Sequence, residues 1–166
     1  RTLHDLYQDC QASGMIGIPR DNLLCYLRDA AEALDFYRRV FGAEILDRHD
    51  GPDGTVLHAE IRIGNSILQL SDPMPDFGLV APNADGSSSA SLVLYCADVD
   101  ATFARAVEAG ATVREPVQDF VSGDRYGSIT DPFGRRWTIM TRIENLSREE
   151  SARRVREWIQ SSFGEK

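Results

Sequence analysis

Along the first two thirds of the chain the apolar positions change period twice, and in the same way each time. DNLLCYLRDAAEALDFYRRVFGAEI (21–45) opens on a short apolar run of strand character and meets an Asp. It then passes into a stretch whose apolar residues recur every three or four positions, and leaves through Gly-Ala into a second strand. ASLVLYCADVDATFARAVEAGATV (90–113) repeats that design. Tyr26 and Tyr95 stand 69 residues apart, as do Asp29 and Asp98, so the chain carries an internal repeat. In the first copy Asp29 is placed to cap a helix, with Glu32 three positions on completing a capping box. Ala30, Ala33, Leu34, Tyr37 and Phe41 then share one face, and Gly42 ends the helix. In the second copy Asp98 caps, Phe103, Ala106 and Val107 make the face, and Gly110 stops it.

Each helix is followed by further strands. TVLHAEIRIGNSILQLS (55–71) predicts a hairpin turned by Gly64-Asn65, and RYGSITDPFGRRWTIMT (125–141) one turned by Asp131-Pro132-Phe133-Gly134. The pattern therefore predicts an α+β fold of two βαβββ modules. An N-terminal extension covers 1–20, the first module 21–72 and the second 90–145. Between them the Pro-, Gly- and Ser-rich linker 73–89 is expected to be exposed and mobile. Residues 146–166 predict a C-terminal helix, with Ser147 and Glu150 as its capping box and Val155, Trp158 and Ile159 as its packing face.

Composition narrows the function classes. The length of 166 residues suits one domain with a sizeable core. A net charge of -8, with no basic cluster before the C-terminus, argues against a nucleic-acid partner. No apolar run reaches the length of a membrane span. The three cysteines, Cys10, Cys25 and Cys96, follow no metal or redox spacing, so we expect reduced thiols and a cytoplasmic location.

Four stretches together carry a resemblance: YLRDAAEALDFYRRVFGAE, VLHAEIRIGNSILQLSD, LYCADVDATFARAVEAGATV and GDRYGSITDPFGRRWTIMT. They resemble the vicinal oxygen chelate superfamily, which includes glyoxalase I, fosfomycin-resistance enzymes, extradiol dioxygenases and bleomycin-binding resistance proteins, and most of all its PhnB-like, glyoxalase-like branch. The resemblance implies two curved mixed sheets around a cup. A divalent metal would be held there by residues of the first and last strand of each module. It also implies a homodimer, often with the cup built between chains. Mapped onto this sequence, the four ligand positions are Asn22, Gln69, Ser91 and Thr138. None is His, Glu, Asp or Cys, so the usual metal centre is expected to be absent.

Strand alternation then gives the expected lining of the cup: Leu24, Tyr26, Gln69, Val93, Tyr95, Thr138 and Met140, with Arg136 on the same face and Phe120 at the rim. That is mostly apolar with a few polar points, the usual make-up of a small-molecule pocket. Arg125 and Tyr126 either close over the cup mouth and bind a ligand, or belong to a tight turn with an Asp124–Arg125 contact. Trp137 is expected in the core. His58 and Glu60 share a strand face with Arg62, opposite Leu57, Ala59, Ile61 and Ile63. They are either an acid/base pair or displaced metal site, or simply a polar strand face. His49 is expected in a polar turn, and His4 is expected to be inert. The first functional reading is a metal-independent binder of a small, partly apolar molecule. The second is a lyase- or isomerase-type enzyme using His58 and Glu60 or a non-standard divalent site. A third is an interaction module with the two terminal helices as its contact surface.

Overall fold

The computed structural model describes residues 23–83 and 87–164. In chain order the elements are β1 (Leu23–Tyr26), α1 (Ala30–Phe41), β2 (Glu44–Asp50), β3 (Val56–Ile63), β4 (Ser66–Ser71), β5 (Ser91–Tyr95), α2 (Val99–Glu108), β6 (Thr112–Phe120), β7 (Asp124–Thr130), β8 (Arg136–Arg142) and α3 (Arg148–Phe163). They form two four-stranded mixed sheets, ordered β1-β4-β3-β2 and β5-β8-β7-β6. In each sheet the first strand runs parallel to the last, and the other pairs are antiparallel. Among the described residues β1 and β5 are therefore sheet edges, and no strand pair joins one sheet to the other. Among the described residues no helix is long and apolar enough to cross a membrane.

One face of each sheet is covered by helices. α1 buries Ala30, Ala33, Leu34, Phe36, Tyr37 and Val40. Gly42 ends it at φ 67°, a left-handed conformation that costs glycine little, and its N–H reaches back to the Tyr37 carbonyl. α2 buries only Val99, Thr102 and Ala106, while Val107, expected on its packing face, is exposed. The close approach of α2 is permitted by Gly127 on β7, where a Cβ would stand 2.7 Å from the Phe103 ring.

The two modules are joined by a buried polar hub. The Asp131 carboxylate accepts from the Tyr37 hydroxyl (2.6 Å), Trp137 Nε1 (2.9 Å) and the backbone N–H groups of Phe133 (3.0 Å) and Arg135 (2.8 Å). Around it Phe36, Tyr37 and Phe41 of α1 pack against Phe133 and Trp137 of the second module. Arg105 of α2 adds hydrogen bonds to the Val40 carbonyl at the end of α1.

Two local expectations are corrected. Asp29 does not cap α1. Its backbone is left-handed (φ 54°), its side chain makes no capping hydrogen bond, and no capping box forms. Asp72 does the work instead, one carboxylate oxygen accepting from Ala30 N (2.9 Å) and the other from Val56 N (2.7 Å). Leu57 is exposed rather than on the apolar face, because β3 carries an extra residue there: His58 lies opposite His49, but Val56 lies opposite Asp50. The first part of the linker carries a 3-10 turn at Pro75–Phe77, a Met74–Leu79 bridge and a hydrogen bond from Arg28 to the Pro82 carbonyl (3.0 Å). Asp98 and Ser147 cap α2 and α3 as expected, accepting from Ala101 N (2.9 Å) and Glu150 N (3.1 Å).

Candidate functional site

Residues directly opposed across a ladder share a face, so the strand registers define the surface of each sheet that the helices leave open. In the second module one row of that open face reads Val93, Thr138, Ser128 and Glu115. On one side of it lie Ser91, Arg136 and Thr130, and on the other Tyr95, Met140, Tyr126 and Gln118. The helix-covered face carries Trp137, Ile129 and Ile139, all buried. The polar side chains of the open face are tied to one another. Glu115 accepts from the Ser128 hydroxyl and from Arg136 (3.1 Å), Arg114 donates to Thr130 (2.8 Å), and Gln118 donates to the Tyr126 hydroxyl (3.3 Å). Apolar Val93 (58% exposed) and Tyr95 (54% exposed) remain uncovered beside them.

The first module presents the equivalent rows. Leu24 stands beside Gln69, Gln69 beside Glu60 and Glu60 beside Asp47. Tyr26 is opposite Ser71, and His58 is opposite His49. His58 and Glu60 thus lie on the open face with Gln69. Glu60 is engaged by Gln69 Nε2 (2.7 Å) rather than by His58. The His58 ring stacks on His49 at 6.4 Å, and His49 Nε2 meets Asp47 Oδ2 at 2.8 Å. His49 is therefore a strand residue facing His58, not part of a polar turn. Arg62 is paired with Glu44.

The remaining expected residues fall in several places. Asn22, His4 and Cys10 lie outside the described residues. Phe120 stands at the end of the open face, its ring 5.8 Å from Tyr126 and 5.0 Å from Trp158. Arg125 is on the helix-covered side, bridging Asp100 of α2 and Asp119 (both 2.8 Å), and those two carboxylates raise its pKa. Asp124 contacts Arg142 (2.7 Å) and Ser122 (2.7 Å) instead of Arg125. Trp137 is core, as expected, ringed by Tyr37 and Phe41. Cys25 and Cys96 are free thiols, and burial pushes the Cys25 thiol up, away from the reactive thiolate.

A cavity of about 300 Å³ opens where the two sheet edges approach. Leu23, the Ile63–Leu68 turn region, Leu92–Tyr95 and Trp137 line it. Of the expected cup lining, Val93 and Tyr95 reach it. The other lining residues spread over the two open faces, which a single chain leaves uncovered.

Three of the four expected metal-ligand positions, Gln69, Ser91 and Thr138, lie among the described residues. Gln69 is an amide already bonded to Glu60, and Ser91 and Thr138 are neutral hydroxyls. Among the described residues no group of three or more His, Cys, Asp and Glu side chains is placed to hold a metal ion. Three open-face residues, and Trp158 of α3 beside them, were not among the expected site residues. Glu115 sits in β6 between two register shifts next to Pro116, so simple alternation misplaces it. Ser128 follows from the Thr138 register once the hairpin is paired. Arg142 and Trp158 lie beyond the motifs that carry the resemblance.

Comparison with known proteins agrees with the fold. The family model of the glyoxalase/bleomycin resistance protein/dioxygenase superfamily matches residues 21–139. An uncharacterised protein of Mycobacterium tuberculosis is 39% identical over 125 residues, 74% of this chain and 74% of that protein. The crystal structure of TioX from Micromonospora sp. ML1 superposes with a TM-score of 0.58 at 26% identity, covering 78% of this chain and all of that one. The PhnB protein of Bacillus cereus shares the fold with a TM-score of 0.59 at 19% identity, covering 74% and 99%. The chain belongs to the glyoxalase/bleomycin resistance protein/dioxygenase superfamily.

Proposed function

We propose that this chain binds a small, partly apolar molecule on the open faces of its two sheets, without a divalent metal. A second copy of the chain would complete the cup. The observation that carries this reading is the make-up of those faces. Exposed Leu24, Val93 and Tyr95 stand beside fixed polar groups, Gln69–Glu60 in one module and Glu115–Ser128–Arg136 in the other. The positions where the superfamily carries metal ligands hold Gln69, Ser91 and Thr138, which bind divalent ions weakly. Chemistry that depends on such a metal has no ligand set here. The uncovered edges β1 and β5 and the apolar side chains next to them favour a homodimer, because such edges recruit a partner.

A thermal-shift screen of a small-molecule library, run in chelator, tests the binding reading, since a ligand of the folded state raises apparent stability by mass action. Stabilising compounds whose effect disappears in Val93→Glu support it; a screen with none contradicts it. Light scattering tests the assembly, and a monomer at micromolar concentration would contradict the shared cup.

The second reading, acid/base chemistry, is favoured by one observation: His58, His49, Glu60 and Asp47 occupy adjacent positions of the first module's open face. Turnover abolished by His58→Gln, with binding retained, would move the assignment to it.

A further inference from the structure

The open face of the second module ends in a row that the superfamily's metal positions do not use. Phe120 and Arg142 both lie opposite Asp124, one step beyond Gln118, Tyr126 and Met140. Asp124 is buried, and its carboxylate accepts from Ser122 Oγ and from Arg142 Nε, both at 2.7 Å. The contact takes the Nε edge of the guanidinium and sets its orientation, while the side chain stays 46% exposed. Tyr95 on β5 stands opposite Met140, one row away on the same face, and with Asp124 it raises the Arg142 pKa. A cation fixed in this way on a partly apolar surface is the arrangement that takes a carboxylate through a planar fork.

α3 brings an aromatic wall to the same end. It is anchored by Ser151 Oγ on the Ser122 carbonyl (3.4 Å) and by Arg154 on Glu144 (3.1 Å). Trp158 stands edge-on to Phe120, and Phe163 edge-on to Trp158 at 5.6 Å. Tyr126, Phe120, Trp158 and Phe163 thus form one continuous run of rings from the sheet to the helix. None of the α3 residues is buried; Trp158 is 37% exposed and Phe163 67%. The helix lies beyond the residues that the family model matches, 21–139.

We propose that Arg142, Tyr95, Phe120 and Trp158 form a subsite for a flat aromatic acid, the guanidinium taking its carboxylate and the Phe120–Trp158 edge its ring. The proposal rests on the open faces being the ligand surface, and names the class of ligand they take. In a chain of net charge -8 an organic anion binds only where a cation is held for it, and stacking on Trp selects a planar ring over a saturated one.

The test is calorimetric titration of the full chain with 2-naphthoate, 2-naphthol and cyclohexanecarboxylate. Wild type should bind 2-naphthoate best. Arg142→Gln, whose amide still reaches Asp124, should weaken 2-naphthoate about ten-fold or more and leave 2-naphthol nearly unchanged. Arg142→Lys, which keeps the charge but not the fork, should fall between. Trp158→Ala should weaken both naphthyl compounds several-fold and cyclohexanecarboxylate little. Wild-type affinity for 2-naphthoate in both Arg142→Gln and Trp158→Ala overturns the proposal. If that affinity is nevertheless lost in Val93→Glu, the subsite falls while the open-face reading stands. If it survives Val93→Glu as well, both fall.

Discussion

Tyr37 in α1 and Ala106 in α2 stand 69 residues apart, at the same place in the repeat, and both are fully buried. Tyr37 reaches across to the second module and donates to Asp131, whereas Ala106 contributes one methyl group. The same contrast runs through both helices. α1 sends Leu34, Phe36, Tyr37 and Val40 inward, while α2 lies close to its sheet over Gly127. A repeated pattern of apolar and polar positions therefore sets where the elements go, but not which copy fills the space between them. Here the first module's helix supplies the bulk of the junction and the second module's DPFG turn supplies its acceptor.

The largest expected effect breaks that contrast directly. Tyr37→Ala should cost about 3–5 kcal/mol in urea unfolding, through a cavity and a lost donor to Asp131, whereas Ala106→Gly should cost only about 1 kcal/mol. Equal losses would remove the asymmetry. Next, Asp131→Ala orphans four buried donors and should cost about 3 kcal/mol, against about 1 kcal/mol for Tyr37→Phe. Burial is the leading influence on the Asp131 carboxyl and pushes its pKa up. The folded state therefore holds that proton more tightly than the unfolded chain. The resulting stability is fully present below the ordinary carboxylate range and is lost as pH rises through the raised folded value. Asp131→Asn should flatten that part of the stability profile.

A smaller effect sharpens the second paired position. Asp98→Ala removes a true cap and should cost about 1 kcal/mol, as should Asp72→Ala in the first module. Asp29→Gly should instead stabilise by about 0.5–1 kcal/mol, because glycine accepts the left-handed backbone there. The smallest effect concerns α3. Arg153 and Arg154 push Glu150 down to about 2. Its contribution to the helix is present above the ordinary Glu pKa and is lost as pH falls from there towards about 2. Trp158 fluorescence, followed from neutral to acid pH, should report this change in wild type and not in Glu150→Gln.

The contrast also shows how far sequence carries. Element order, both hairpin turns, the Asp98 and Ser147 caps and the place of Trp137 follow from periodicity and turn chemistry, which are local. The cap on α1 does not, because Asp72 arrives from 42 residues further along the chain and outcompetes the adjacent Asp29. On the open faces the alternation puts Gln69, Val93, Tyr95 and Thr138 where the register has them. It misplaces residues near bulges: Leu57 and Glu115 both sit where an extra residue shifts the pairing. Arg125 was ambiguous because two aspartates, distant in sequence on one side and near on the other, decide its direction. Arg142 and Trp158 carry no family signal, and only the fold of α3 onto the β6–β7 hairpin brings them to one end of the sheet.

Open faces that work without a divalent ion, as we propose, are best checked by elemental analysis of the full chain purified without chelator. Divalent metal should be found well below one ion per chain, unchanged in His58→Ala and in Glu60→Gln. One tightly held ion per chain, lost on either substitution, would contradict it.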